Sequence, residues 1–107
     1  MFIAENVAVE IIAALKAVVE TLDRRDRSLA DQARRAATSI ALNVGEGGRR
    51  RGKDRVHLFR IAAGSAAELR VALRVAQAWG YVDADRVAPA QALLDRELGL
   101  LWGLTRA

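Results

Sequence analysis

Four stretches of this chain repeat their apolar residues at the period of an α-helix, and only short joints separate them. In residues 3–22, Val7, Ile11, Ala14, Leu15, Val18 and Leu22 share one helix face, and Ala8, Ile12 and Val19 widen it to nearly half the cylinder. Residues 29–46 place Ala33, Ala36, Ala37, Ile40 and Val44 on a stripe of mostly small side chains, which lets a neighbouring helix come close. Residues 54–79 carry Leu58, Ile61, Ala62, Leu69, Ala72, Leu73 and Ala76, and residues 84–105 carry Val87, Ala90, Leu94, Leu98 and Leu101. No period-two run bounded by turn residues competes with this pattern. Four helices of similar length on short joints predict an all-α fold, an antiparallel up-down-up-down four-helix bundle. The 107 residues suffice for one domain, expected over 1–107.

The joints carry their own signals. "DRRDRS" breaks the first pattern, and Ser28 with Asp31 three residues on resembles a capping box for the second helix. Gly47 or Gly48 is the expected C-terminal cap of that helix, and Asp54 the N-cap of the third. Gly80 reads as the stop of the third helix. If Asp83 caps the fourth, Pro89 lies past its first turn and removes a backbone bond, which predicts a bend or a start nearer Val87.

Without cysteine, the chain has neither disulfides nor thiolate metal sites, and a reducing cytoplasm is the expected location. No stretch approaches the roughly 20 apolar residues of a membrane span. "MFIAENVAVE" has acids and no basic n-region, so it does not read as a signal peptide.

The net charge is +4, but its distribution says more than its size. Of 17 basic residues, 15 are Arg, and Arg49, Arg50, Arg51, Lys53 and Arg55 fall within the one joint "GRRRGKDR". Arg forks match phosphate and carboxylate geometry, so the cluster points to an anionic partner, nucleic acid being the commonest. Arg60, with Arg70 and Arg74 further along the third helix, extends the array; Arg34 and Arg35 join it if the second and third helices pack together. The cluster lacks aromatic residues, so it predicts contact with DNA or RNA backbone rather than base stacking. A solvated charged loop, and an acidic protein partner, are the competing readings.

Arg35, Ser39, Asn43 and Glu46 form a polar stripe within about an 80° sector of the second helix. With Ser65 and Glu68 of the third helix they are expected to form a structural polar network rather than an active site, since no nucleophile–base pair is visible. Asp54-x-x-His57 has the i, i+3 spacing of a helical metal motif, but the facing Glu-x-x-His repeats of di-iron bundles are missing, and His57 reads as a surface residue. "GEGGRRRG" joins two helices and lacks the Lys-Ser/Thr of a phosphate loop. Neither metal, cofactor nor enzymatic activity is expected. Leu93, Leu100 and Leu104 make a second apolar stripe on the fourth helix, and Gly64, Val71 and Val75 lie off the core face of the third; burial between identical copies is the economical explanation. Trp79, Tyr81 and Trp102 read as core or interface packing.

"RRAATSIALNVGEGGRR" followed by "FRIAAGSAAELR" resembles the bacterial four-helix-bundle proteins of 23S rRNA intervening sequences, relatives of the accessory variability determinant protein of diversity-generating retroelements. The matching residues are Arg35, Ser39, Ile40, Asn43, Val44, Gly45, Glu46 and Gly47, then Ile61, Ala62, Gly64, Ser65, Glu68 and Leu69; "WGYVDADR" resembles the family's Gly-Tyr turn before the last helix. The resemblance implies a four-helix bundle, commonly a homopentameric ring. The retroelement relative implies a basic ring that partners a reverse transcriptase and nucleic acid. Gly45 departs from the family's usual Ala, and the three consecutive arginines are more basic than the usual joint.

Overall fold

The computed structural model describes residues 2–106 and contains four helices, with no strand among those residues: α1 (Ile3–Arg25), α2 (Arg27–Gly48), α3 (Gly52–Ala78) and α4 (Ala84–Thr105). α1 packs on α2, α2 on α3 and α3 on α4, and α1 closes the ring against α4. The molecule measures 42 × 21 × 21 Å. The 27 residues of α3 span about 40 Å at 1.5 Å each, so a single helix length sets the long dimension. None of these helices is long and apolar enough to cross a membrane.

The core follows the stripes read from the sequence, with departures at Leu58 and Ile61 on α3 and at half-buried Leu98 on α4. Val7, Ile11, Leu15, Val18 and Leu22 of α1 and Ala33, Ala36, Ala37, Ile40 and Val44 of α2 are buried. On α3 the buried face begins at Phe59 and continues through Ala62, Ala66, Leu69 and Leu73, whereas Ile61 is 39 % exposed and Leu58 half-buried. A Phe ring at position 59 fills the ring's interior that Leu58 and Ile61 were expected to reach. On α4 the stripe Val87, Ala90, Leu94 and Leu101 includes one charged residue, Glu97. Ile12 is exposed, and so are Trp79 and Trp102, which are therefore not core residues.

The caps differ from expectation in instructive ways. α1 continues to Arg25, leaving Asp26 alone between the helices; its carboxylate accepts from the Leu29 amide at 3.0 Å and caps α2. Ser28, already inside α2 and exposed, has no capping role. α3 starts at Gly52, with φ +60°, so Asp54 lies in its first turn rather than at its N-cap. There its carboxylate still faces the positive end of the helix dipole. Asp83 does cap α4, accepting from the Arg86 amide at 2.9 Å. α4 nevertheless runs from Ala84 straight through Pro89, not from Val87. Pro89 and Asp85 are both exposed, so the carbonyl deprived of its amide donor reaches water.

Gly47 and Gly48 are helical residues, not left-handed caps: neither has positive φ. Their role is close approach. A Cβ on Gly47 would lie 2.7 Å from Phe59 Cε1, and one on Gly48 2.5 Å from Phe2 Cε1. The two phenyl rings themselves meet at 6.1 Å between centroids, tilted by 54°. Gly45 is different, because the nearest atom to an added Cβ is Glu5 Oε1 at 4.0 Å. Gly45→Ala is therefore expected to stabilise the protein by about 1 kcal/mol through helix propensity alone; a raised urea midpoint at unchanged slope is the check.

A candidate nucleic-acid interface

The α2–α3 joint is shaped by its backbone before its side chains matter. The Arg49 amide donates to the Glu46 carbonyl at 3.0 Å and the Arg50 amide to the Gly47 carbonyl at 3.1 Å, closing the last turn of α2. Phe2 and Phe59 then clamp that turn at Gly48 and Gly47. The chain leaves the clamp carrying Arg49, Arg50 and Arg51 outward, all exposed. Arg55 folds back: its guanidinium sits 5.1 Å from the Phe59 ring centroid and donates to the Gly48 carbonyl at 3.4 Å.

Few carboxylates compete for these cations. Glu46 reaches Arg49 Nη2 at 3.4 Å and Arg50 Nε at 3.5 Å, long contacts between exposed groups that contribute little. Arg51, Lys53, Arg55, Arg60, Arg35 and Arg74 form no ion pair among the described residues. Two arginines are committed elsewhere. Arg34 bridges Asp23 at 2.9 Å and Asp31 at 2.8 Å, and the Asp23 hydrogen bond raises its pKa further. Arg70 pairs with Asp95 at 3.3 Å.

The polar stripe divides. Ser39 Oγ and Ser65 Oγ lie 2.8 Å apart across the α2–α3 contact, and Asn43 Nδ2 donates to the Ser39 carbonyl at 2.9 Å and to Ser39 Oγ at 3.1 Å. These three are one hydrogen-bonded cluster at the half-buried seam. Arg35 and Glu68 stand outside it and are exposed, while Glu46 turns to the arginines. Arg35 borders a cleft with Leu42 and Asn43, and Glu68 lines a different one with Val71 and Val75, so Arg35, Glu46 and Glu68 do not converge. Ser65→Ala leaves the Ser39 hydroxyl without its cross-helix partner, an expected loss of about 1 kcal/mol in a denaturant titration.

His57 is exposed, and no group of three or more His, Asp or Glu side chains among the described residues is placed to hold a metal ion. Val71, Val75 and Leu104 are exposed; Leu93 and Leu100 are half-buried against the core. The sequence reading passed over Glu97, which is fully buried with neither carboxylate oxygen hydrogen-bonded. Burial pushes its pKa up to about 7, against the opposing pull of Arg96. Its position three residues after Leu94 and four before Leu101 puts it on the apolar stripe, a signal that was present in the sequence.

The geometry defines a small four-helix protein with a cationic joint at one end. The chain belongs to the 23S rRNA-intervening sequence protein family, whose profile matches residues 3–103. Its fold is similar to that of a Bacteroides thetaiotaomicron protein of unknown function from the S23 ribosomal protein family, with a TM-score of 0.89 at 17 % identity, covering 98 % of this chain and 100 % of the other. No curated protein matches the chain.

Proposed function

We propose that this protein is a non-enzymatic, cytoplasmic homo-oligomer that binds nucleic-acid backbone through Arg49, Arg50, Arg51, Lys53, Arg55 and Arg60. The observation that carries the reading is the weakly paired charge at this end of the molecule: Glu46 reaches only Arg49 and Arg50, both at long distance, and Arg51, Lys53 and Arg60 form no ion pair among the described residues. Arg55 turns back onto Phe59 and the Gly48 carbonyl, and Asp54, the other acid of the segment, pairs with none of the six. Joints of one to five residues and the packing of sequence neighbours support an up-down-up-down course of the helices. Exposed Val71 and Val75 on the α2–α3 side, and Leu104 with half-buried Leu93 and Leu100 of the same α4 stripe towards α1, supply two separate surfaces for copies to meet. The resemblance to the retroelement accessory protein favours a pentameric ring, in which the joints of several copies add.

A mobility-shift titration against salt is the test. With about four phosphate contacts per protomer, log affinity falls with log salt at a slope of roughly −3 to −4. Changing Arg49, Arg50 and Arg51 together to Ala is expected to flatten that slope by roughly 2 to 3. An unchanged slope, or no binding at low salt, removes the reading. Nuclease-resistant capture of an acidic protein by the parent and not by the triple variant would replace it with an adaptor role.

A further inference from the structure

The joint between α3 and α4 holds a second cationic assembly, and this one has an exposed aromatic ring, Trp79. It lies a full α3 length from the Arg49–Arg51 joint. Trp79 ends α3 and Gly80 follows at φ +79°. The Tyr81 amide donates to the Ala76 carbonyl and the Gly80 amide to the Gln77 carbonyl, both at 2.9 Å. This pair of bonds is the Schellman closure, and glycine provides the left-handed residue it needs. The closure fixes the backbone from which the Trp79 and Tyr81 side chains leave. Trp79 stacks on Tyr81 with centroids 6.5 Å apart and planes 20° from parallel. The Arg25 guanidinium also lies over the Tyr81 ring, 5.5 Å from its centroid. The indole is still 69 % exposed, so Tyr81 covers only part of it.

The charges around this stack are uncommitted on one side only. Arg24, Arg25, Arg27 and Arg86 pair with no carboxylate among the described residues, and the Arg86 guanidinium donates only to the Thr21 hydroxyl, at 3.3 Å. The nearby acids are mostly occupied: Asp26 caps α2, Asp83 caps α4 and Asp23 holds Arg34. Asp85 sits in the first turn of α4, where the helix dipole accommodates it. Between Trp79's neighbour Tyr81 and the end of α1, a cleft is lined by Thr21, Arg24, Asp83 and Arg86.

We propose that this end of the molecule binds single-stranded nucleic acid, with an unpaired base stacked on Trp79 and the adjoining phosphates held by Arg24 and Arg86. A base has a π-face whatever its sequence, and the exposed indole stacks on Tyr81, which itself lines the cleft of Arg24 and Arg86, so one end of the molecule offers contacts to base and backbone. A duplex hides its base faces and cannot use Trp79. The site stands apart from the Arg49–Arg51 joint and does not depend on it.

The protein has two tryptophans, so Trp102→Phe leaves Trp79 as the sole indole reporter. Titration with a 12-residue oligo(U) should quench its emission, whereas a duplex of equal length should not. Trp79→Ala should weaken oligo(U) affinity about 5- to 100-fold at fixed salt, and Trp79→Phe should keep most of it. Changing Arg24 and Arg86 together to Ala should reduce the salt slope for oligo(U) by roughly 1.4. Binding of oligo(U) without quenching, or with affinity indifferent to Trp79→Ala, overturns the proposal. So does a blue-shifted Trp79 emission that reddens on dilution, which would mean that a second copy covers the ring. The Arg49–Arg51 triple Ala variant separates the two sites: lost duplex binding with retained quenching supports both. Retained duplex binding with retained quenching sinks only the joint reading. Loss of quenching in that variant sinks this one.

Discussion

Phe59→Ala is expected to cost the fold about 3 to 5 kcal/mol, enough to consume much of the stability of a domain this size. Phe59 heads the fully buried side chains by volume and touches three things at once. Its ring lies against Gly47 of α2, against Phe2 at the start of the chain and under the Arg55 guanidinium. Truncation removes the transfer energy of the ring and leaves a cavity that helices pinned on either side cannot collapse to fill. The same contact should read out from the opposite direction. Gly47→Ala forces a methyl to within 2.7 Å of a ring with nowhere to go, an overpacking cost of about 1 to 3 kcal/mol. Gly48→Ala meets Phe2, which is only half-buried where Phe59 is fully enclosed, and should cost less. Urea unfolding of the single variants and of Gly47→Ala with Phe59→Leu supplies the check. If the pair is no better than the sum of its parts, the glycine is not there for the ring.

Those glycines show where local sequence stops being informative. A Gly pair after a helical stripe reads as a cap, since the cap is the commonest use of glycine there. Its actual use depends on Phe2, from the other end of the chain, and on Phe59, from the next helix. The Ser39–Asn43–Ser65 cluster shows the same limit: the stripe was visible on α2, but only the α2–α3 register decides that Ser65 meets Ser39 while Glu68 faces water. Asp26 displaced Ser28 as a cap because α1 kept its helical bonds three residues past the last apolar position, and both residue types cap equally well. By contrast, the stripes of Leu, Val, Ile and Ala that built the four helices needed no tertiary knowledge. Burial of one face is dictated by the helical period itself. The cationic joint was legible too, because a run of arginines between glycines cannot be buried. Trp79 was not: a large apolar residue at a helix end can pack inward or stand free, and here it stands free.

Glu97 provides the second large effect, through pH. In the unfolded chain its carboxyl titrates near 4.5, and in the fold burial raises this to about 7. Below pH 4.5 both states hold the proton, and the group adds no pH dependence. Between 4.5 and 7 the unfolded state has given up a proton that the folded state retains. Stability therefore falls as pH rises, by up to about 1.4 kcal/mol per unit. Above pH 7 both states are ionised and the loss is complete, on the order of 3 kcal/mol. The sign is opposite to that of a salt-bridged carboxylate, which stabilises at neutral pH and fails in acid. The physical reason is that neither Glu97 oxygen has a hydrogen-bond partner to replace water, and the charge of Arg96 only partly offsets the desolvation. Urea unfolding at pH 5, 6, 7 and 8 isolates the effect when the parent is compared with Glu97→Leu and Glu97→Gln. Both variants should lose this component of the slope, and Glu97→Leu should exceed the parent at pH 8 by roughly 3 kcal/mol, since an apolar side chain needs no partner there. Glu97→Gln should fall between them, because its amide is also left unsatisfied. A parent curve parallel to both variants across this range would mean that Glu97 is hydrated in solution, and the buried carboxyl would then lose its place in the core.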